Sequence, residues 1–200
     1  HNLRQQMNPH FIFNTLNSIQ YYVFQNDKIA ANNYMTKFAS LIRKTLENSR
    51  YPSITINEEI TTLQLYLELE SLRFKEKFDW EVIVDDDIDT LTYKIPTMLI
   101  QPFVENAIVH GLIHKEGKGF LKIKMYPEGD VIACSIEDNG IGRHKAMQIN
   151  RKKRPKHNSL GTSITESRLK LVNSLYGKKM RIQYKDLTND KGDACGTRVL

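Results

Sequence analysis

Cysteine is scarce in this chain, and neither of its two cysteines has a CxxC partner. Cys134 and Cys195 stand in separate strand-like runs, which argues against a thiolate metal site and favours a reduced, intracellular protein. Long apolar runs are also missing, since no stretch approaches the roughly 18 residues of a membrane span. The chain opens on polar residues patterned as a helix, which is not typical of a signal peptide. Whether it is a fragment of a longer protein stays open.

The composition that is present fits a folded protein. With 200 residues, 40% of them hydrophobic, the chain can form one full domain and a smaller one. The net charge of +6 allows nucleic acid as a partner. Much of the clustering of basic residues, however, lies in one run of four: Arg151, Lys152, Lys153 and Arg154. Such a run is more typical of a solvated loop, or of a flap that neutralises an anion, so we expect no nucleic-acid partner.

The first quarter of the chain is patterned as two helices. Residues 1–25 and 28–50 each repeat apolar positions at helical spacing. The two stripes are Ile12, Leu16, Ile19 and Val23, then Ala31, Tyr34, Phe38, Leu41 and Thr45. Because a two-helix hairpin cannot bury both its faces alone, we predict a four-helix bundle made by two copies of the chain. The alternative is that the hairpin packs on the rest of its own chain.

His10 lies near the start of the first helix, directly after Asn8 and Pro9, which suit an N-cap and a first helical position. It precedes Ile12 by two positions, so we expect it to point away from the apolar stripe. An exposed imidazole on a rigid helix is a candidate nucleophile. An ordinary surface histidine would show the same pattern, and His10 alone does not decide between the two.

The remainder of the chain predicts an α+β architecture. Pro52 breaks the second helix, and Thr55 with Glu58 forms a capping box before a third helix over about 57–77. We then expect strands, helices and a basic loop in alternation. The strands are predicted at 79–84, 120–126, 131–137, 180–184 and 197–200, the helices at 95–110 (ended by Gly111) and 160–176, and the loop at 141–158. This half should be a two-layer sandwich, an antiparallel sheet with helices on one face. Hinges are expected at 51–53 and near Phe78.

Two motifs in this half suit a ligand. Glu105 and Asn106 are polar residues inside an apolar helix, and an amide oxygen suits Mg²⁺, although a helix face that meets solvent would look alike. Asp138 follows a strand and precedes Gly140 and Gly142. A carboxylate there selects a donor such as the adenine amino group, and the glycines permit close backbone approach. An ordinary Asn-Gly turn is the alternative.

A third motif contains Gly161, which with Ser159 opens the predicted helix at 160–176. Unpaired N–H groups at a helix start bind phosphate. The preceding basic loop, which includes Arg143, His144 and Lys145, is then expected to act as a lid over a triphosphate. Neither a dinucleotide-binding fingerprint nor a Walker loop is present at 138–142.

The order of these motifs is specific. A Glu-Asn helix is followed by a strand with Asp-x-Gly-x-Gly, a basic loop with Gly and a helix, and a last strand with Gly196-Thr197. It resembles the GHKL (Bergerat) ATP-binding domain of histidine kinases and type II topoisomerases. The segments NPHFIFNTLN (8–17) and QPFVENAIVHG (101–111) look like those of LytS/YehU-type sensor histidine kinases. Residues 66–74 resemble that family's connecting helix, so the resemblance covers nearly the whole chain.

The resemblance implies a dimerisation and phosphoacceptor hairpin at 1–54, a connecting helix at 55–78 and a catalytic ATP-binding domain at 79–200. It implies the cytoplasmic core of a two-component sensor kinase that uses ATP and Mg²⁺ to phosphorylate His10. The phosphoryl group would pass to an aspartate of a response regulator, expected to be of the LytTR type. The protein is expected to be a homodimer within an inner-membrane sensor, whose membrane segments are not in this chain. This part should make no direct membrane contact.

The resemblance also assigns roles to single residues. His10 is the phosphoacceptor, Asn106 holds Mg²⁺, and Asp138 binds adenine with support from Thr197. The remaining nucleotide-binding positions are glycines, namely Gly140, Gly142 and Gly161. His110 would contact phosphate or complement the helix dipole, and the two roles are left open.

Two positions depart from the family pattern. Ser159 stands where a glycine is usual, and Phe11 follows the histidine where many histidine kinases have an acid. Glu105 is therefore our candidate for accepting the proton or orienting the attack. Asn14, one turn after His10, is expected to hydrogen-bond the ring and fix its tautomer. An ATPase or chaperone of the same fold, or a protein serine kinase, would not need His10 and is the alternative.

Overall fold

The computed structural model describes residues 9–153, 181 and 183–200. The chain divides into two compact units, one formed by residues 1–76 and 89–99 and the other by residues 77–88 and 100–200. No helix in the described part combines the length and the apolar character that crossing a membrane requires.

The described residues of the first unit form three helices and a small sheet. The helices are α1 (Pro9–Phe24), α2 (Lys28–Asn48) and α3 (Ile56–Arg73). Asp27 caps α2 by accepting a hydrogen bond from the Ala30 N–H at 3.0 Å. Both hydrogen bonds of the predicted capping box at the start of α3 are present.

The apolar seam of α2 faces the protein's own third helix. Tyr34 and Leu41 are buried, and the Tyr34 hydroxyl donates to the Leu69 carbonyl of α3 at 3.2 Å. The hairpin thus packs on the rest of its own chain along this seam. This is the arrangement that the sequence left open as the alternative to a four-helix bundle. Helix α1 joins the same core through Phe11, whose ring lies 5.2 Å from that of Tyr66.

The stripe predicted to be buried on α1 is wrong for two of its members. Leu16 is 49% exposed and Val23 is 57% exposed, whereas Phe11 and Thr15 are buried. The helix is turned so that Phe11, the larger aromatic side chain, enters the core, because it removes more apolar surface from water. His10 is exposed, as predicted.

A two-stranded sheet replaces the predicted start of the fourth helix. Ile95 and Pro96 belong to β3 (Lys94–Pro96), which pairs antiparallel with β1 (Ser53–Thr55). The helix begins instead at Gln101, with Pro102 in its first turn. A proline suits both an edge strand and a first helical turn, which is why Pro96 misled the prediction. The break at 51–53 therefore lies inside the first unit rather than at a hinge between units.

In the part of the second unit that the structure describes, five strands form a sheet of order β2-β4-β5-β7-β6. Its strands are β2 (Phe78–Val84), β4 (Gly119–Glu128), β5 (Val131–Asp138), β6 (Tyr184–Thr188) and β7 (Ala194–Val199). The predicted antiparallel sheet is wrong for one pair, because β2 runs parallel to β4. A parallel pair needs a long crossover, and the segment between these strands supplies one. The α+β class itself is confirmed.

Helix α4 (Gln101–Asn106) does not end at Gly111. It continues as a π-helical segment, Ala107–Leu112, that contains Gly111. A glycine often ends a helix, but here it allows close packing: a Cβ on Gly111 would lie 2.8 Å from Asp138 Oδ1.

The basic loop predicted at 141–158 is largely helical. Helix α5 (Arg143–Lys153) begins after Gly142, whose carbonyl accepts from the Ala146 N–H at 3.1 Å. Lysine, arginine and glutamine favour a helix, so the segment's polarity was a misleading guide. The predicted strand at 180–184 is also displaced, since β6 starts at Tyr184. Ser159, Gly161 and the predicted helix at 160–176 lie outside the described residues.

Candidate functional site

Asp138 is a buried carboxylate at the end of β5. Its side chain belongs to a residue that is only 5% exposed, and its backbone pairs with Thr197 of β7. The Gly140 N–H donates to Oδ1 at 2.9 Å, and the Thr197 N–H also bonds the carboxylate. Burial raises the pKa of Asp138 to about 6 despite these hydrogen bonds. Keeping this hydrogen-bond acceptor in a poorly solvated place therefore costs folding free energy.

Glycines bring the backbone close to this carboxylate. A Cβ on Gly140 would lie 2.5 Å from the Gly111 carbonyl carbon, and one on Gly196 would lie 2.0 Å from the Asp138 carbonyl oxygen. Gly142 has a φ of +78°, which non-glycine residues rarely adopt. Gly140 and Gly142 were predicted to let the backbone approach a ligand. The close approach of Gly140 to Gly111 was not predicted from the sequence. The signal for it was present, because Gly111 lies in the motif at 101–111 and Gly140 in the motif at 138–142.

The helix that packs against β5 presents the other predicted residues. Glu105, Asn106 and His110 are all half-buried, on α4 and the π-helical segment. Gln101 Nε2 donates to Glu105 Oε1 at 3.2 Å, so the carboxylate is oriented from its own helix. A π-helical turn in an α-helix is often found at a functional site.

Burial lowers the pKa of His110, and the neighbouring His114 lowers it further. A neutral imidazole can still donate a hydrogen bond to phosphate, but it adds no positive charge to a helix terminus. Of the two roles left open for His110, the lowered pKa favours the first.

The donor set at Asn106 fits Mg²⁺ in one way only. Within residues 9–153, 181 and 183–200 there is no group of three or more His, Cys, Asp or Glu side chains that could hold a metal ion. One amide oxygen cannot bind Mg²⁺ alone, since this ion requires six oxygen ligands. Asn106 therefore suits an ion that arrives with phosphate and water oxygens.

His10 belongs to the other unit, on the first turn of α1. Asn14 Nδ2 lies 2.9 Å from His10 Nδ1, so the predicted contact between these side chains is present. Phe11 is 7% exposed and packs on Phe38 and Tyr66. The position after the histidine is thus a core position here, and it supplies no base.

Arg143 was expected in a mobile basic lid, and the structure gives it a different contact. Its Nε and Nη2 atoms donate to the two carboxylate oxygens of Asp186 at 2.8 and 2.9 Å. Its guanidinium also lies over the Tyr184 ring, 5.0 Å from the centroid. A bidentate pair of this kind holds α5 against β6. His144 is exposed beside the same carboxylate, at 3.8 Å, and Lys145 is exposed.

Residues 1–78 match a family model described as histidine kinase. The sensor protein LytS of Oceanobacillus iheyensis is 31% identical over 156 residues, 78% of this chain and 26% of that protein. The sensor histidine kinase YpdA of Escherichia coli is 30% identical over 182 residues, 90% of this chain and 31% of that protein.

Residues 1–78 thus match the histidine kinase family, and the chain is similar to LytS-type sensor histidine kinases. The chain spans about a quarter to a third of the length of those two relatives. Its fold is similar to that of the histidine kinase domain of a blue-light-activated kinase from Erythrobacter litoralis. The TM-score is 0.52 at 12% identity, over 98% of this chain and 88% of that one. The family model ends at residue 78, so it contains His10 but not Asn106 or Asp138.

Proposed function

We propose that this chain is the kinase core of a two-component sensor histidine kinase. It would use ATP to phosphorylate its own His10 and pass the phosphoryl group to an aspartate of a response regulator. The division proposed is a phosphoacceptor hairpin at 1–54, a connecting helix at 55–78 and a nucleotide-binding domain at 79–200. The observation that supports the proposal most is the buried carboxylate of Asp138 among glycines.

The Asp138 carboxylate is suited to an adenine amino group. A buried acceptor has a large desolvation cost, and a donor from a planar ligand offsets it. The glycines around it let the backbone pack directly against this residue, because a side chain at those positions would meet the backbone or the carboxylate itself. Thr197 would support the same end of the site, with Gly140 and Gly142 along its wall. Gly161 would bind at the phosphate end.

Catalytic domains of histidine kinases use ATP with Mg²⁺. In this chain Asn106 would hold the ion, which neutralises phosphate charge when bound. His110 would donate a hydrogen bond to phosphate. Glu105, oriented by Gln101, is the candidate base or orienting group. These residues mainly position charge, which is the principal requirement of phosphoryl transfer.

The acceptor step requires the first unit. A ring nitrogen of His10 uses its lone pair to form a bond to the terminal phosphorus of ATP. The bond from that phosphorus to its bridging oxygen breaks, and ADP leaves with the electron pair. His10 and Asp138 belong to different units of the chain. The reaction therefore requires His10 of a first unit to reach the ATP bound to a second unit, of the same chain or of its partner.

We also propose that the chain is a homodimer. Exposed apolar side chains on α1 support this, because a monomer rarely leaves such a row in water. They are Phe13, Leu16, Val23 and Phe24. The apolar seam of α2 is already buried against α3, so the dimer contact would be made by the exposed face of α1. The response regulator, of the LytTR type, would dock near His10, on the cytoplasmic side of the membrane, where ATP is available.

The test is incubation of the chain with γ-labelled ATP. We expect a phosphoprotein that is labile in acid and stable in base, and no label in His10→Gln. His144→Gln is the matched control, since His144 is also exposed (80% of its side chain) but lies in the second unit. Label that persists in His10→Gln would disprove the acceptor assignment. Nucleotide affinity that is unchanged in Asp138→Asn would disprove the adenine assignment.

A further inference from the structure

We infer that Asn14 sets the tautomer of the His10 ring and thereby controls when Nε2 can accept a phosphoryl group. The inference rests on the proposed function, because it concerns the same reaction at His10. It assigns Asn14 as a positioning residue, which acts through the ring and does not touch the nucleotide.

The starting observation is one contact between two side chains. Asn14 Nδ2 lies 2.9 Å from His10 Nδ1, four residues along the same helix. An amide NH₂ group is only a donor, so the ring nitrogen it faces must be the acceptor. In a neutral ring the proton then resides on Nε2. In this arrangement the Nδ1 lone pair is engaged by Asn14 and the Nε2 lone pair is absent, so the ring is held in an unreactive state.

A half-turn of the same amide reverses these roles. The amide oxygen then faces Nδ1 and accepts its N–H, while the Nε2 proton is released to water and another is taken up at Nδ1. Nε2 now has the lone pair that forms the N–P bond as the bond from phosphorus to ADP breaks. No proton has to leave the ring before that bond forms, because the Nδ1 proton stays on Nδ1 and is hydrogen-bonded to the Asn14 oxygen.

The surroundings of Asn14 leave room for this rotation. Its side chain is half-buried and borders a cavity of about 420 Å³ between α1 and the segment that follows α3. Ser18, Tyr22, Arg73 and Phe74 also line this cavity. An amide beside open space is not held in one orientation by packing, so either its nitrogen or its oxygen can face His10.

The packing of α1 explains why this role falls to Asn14. Phe11 is buried, with its ring 5.2 Å from that of Tyr66, so an acid at position 11 would lie in an aromatic core. Positions four residues apart share one face of a helix, and position 14 therefore lies within reach of His10.

The kinetic test uses two substitutions of Asn14. A carboxylate only accepts, so Asn14→Asp should hold the proton on Nδ1 and react at least as fast as the wild type at saturating ATP. Asn14→Leu has no polar group and should be about tenfold slower than Asn14→Asp. The half-saturating ATP concentration should not change in either. Asn17→Leu, an exposed asparagine on the same helix, is the control and should match the wild type. Equal rates for Asn14→Asp and Asn14→Leu would overturn the inference.

A second readout does not depend on phosphorylation. Long-range ¹H–¹⁵N spectra of the nucleotide-free full chain at about pH 8 show which ring nitrogen is protonated. The His10 signals, identified by their loss in His10→Gln, should show the proton on Nε2 in the wild type and on Nδ1 in Asn14→Asp. Asn14→Leu should give a mixture. Spectra that are identical in the wild type and Asn14→Leu would overturn the role of Asn14. A wild type that shows the expected spectra but takes up no phosphate from ATP would contradict the proposed function instead.

Discussion

The two units of this chain present their proposed reactive groups in opposite ways. In the first unit His10 is exposed, and its neighbour Phe11 takes the core position. In the second unit Asp138 is buried, and glycines bring backbone against it. An exposed nucleophile can be changed with little effect on folding. A buried acceptor is part of the packing, so changes there should alter stability as well as binding.

The largest expected effect is at Gly196. Its φ is +149°, and a Cβ there would lie 2.0 Å from the Asp138 carbonyl oxygen. Gly196→Ala should therefore destabilise the second unit by about 3 kcal/mol or more, through strain and overpacking. The fluorescence of Trp80, the chain's only tryptophan and part of β2, reports the unfolding of this unit.

Gly192→Ala is the matched control for Gly196→Ala. Gly192 also has a positive φ, +79°, but nothing lies within 4 Å of its added Cβ. It should lose about 1 kcal/mol, from backbone strain alone. Equal losses for the two variants would show that close packing around Asp138 is not what Gly196 provides.

The second prediction concerns Asp138→Asn in the nucleotide-free chain. Because the folded-state pKa is raised from its ordinary value of 3.8 to about 6, the folded state binds the proton more tightly than the unfolded state. The contribution of the protonated carboxyl to the stability of the folded state is complete below about pH 4 and is lost as the pH rises through about 6. Asp138→Asn should thus be more stable than the wild type above about pH 6, by up to about 3 kcal/mol, with a smaller difference near pH 4. Urea titrations at both pH values measure this. A stability difference that does not vary with pH would refute the burial argument.

These two predictions rest on contacts that only the structure shows, and the reason is physical. Helix α3 follows from its capping box, and β4 and β5 follow from their alternation, because those signals are local. The parallel pairing of β2 with β4 is set by residues far apart in the sequence, so no local pattern indicates it. The three-residue strand at Ile95 is too short to show a period.

The same distinction holds at the site. Asp138 could be predicted because a strand-end acid before two glycines is a local motif. The approach of Gly111 to Asp138 could not, since Gly111 looked like a helix terminus and its neighbour comes from another element. The ion pair of Arg143 with Asp186 was missed likewise, because the partners are 43 positions apart.

The third prediction concerns the exposed face of α1. Leu16→Glu places a charge in the proposed dimer face and should weaken self-association by about tenfold or more, since a buried charge without a partner is costly. Sedimentation velocity measures this. Asn32→Glu adds the same charge at an exposed position of α2 and should leave association unchanged. Equal weakening by both substitutions would place the dimer contact elsewhere.

The smallest effect is expected at Tyr34, in the core of the first unit. Its hydroxyl donates to the Leu69 carbonyl, and burial raises the pKa of Tyr34 to about 12. Tyr34→Phe should cost about 1 kcal/mol, because it leaves that buried carbonyl without its donor. Helical circular dichroism should report the loss, while the Trp80 transition stays unchanged. Tyr51→Phe, at an exposed tyrosine, should have no effect.

The proposed kinase reaction is tested most directly by locating the phosphate. The wild type, His10→Gln and Asp138→Asn are incubated with ATP and Mg²⁺, digested under basic conditions and analysed by mass spectrometry. The proposal predicts one phosphorylated site, His10, in the wild type, and none in either variant although both remain folded. Phosphate on another residue of the wild type, or phosphorylated His10 in Asp138→Asn at the wild-type level, would contradict it.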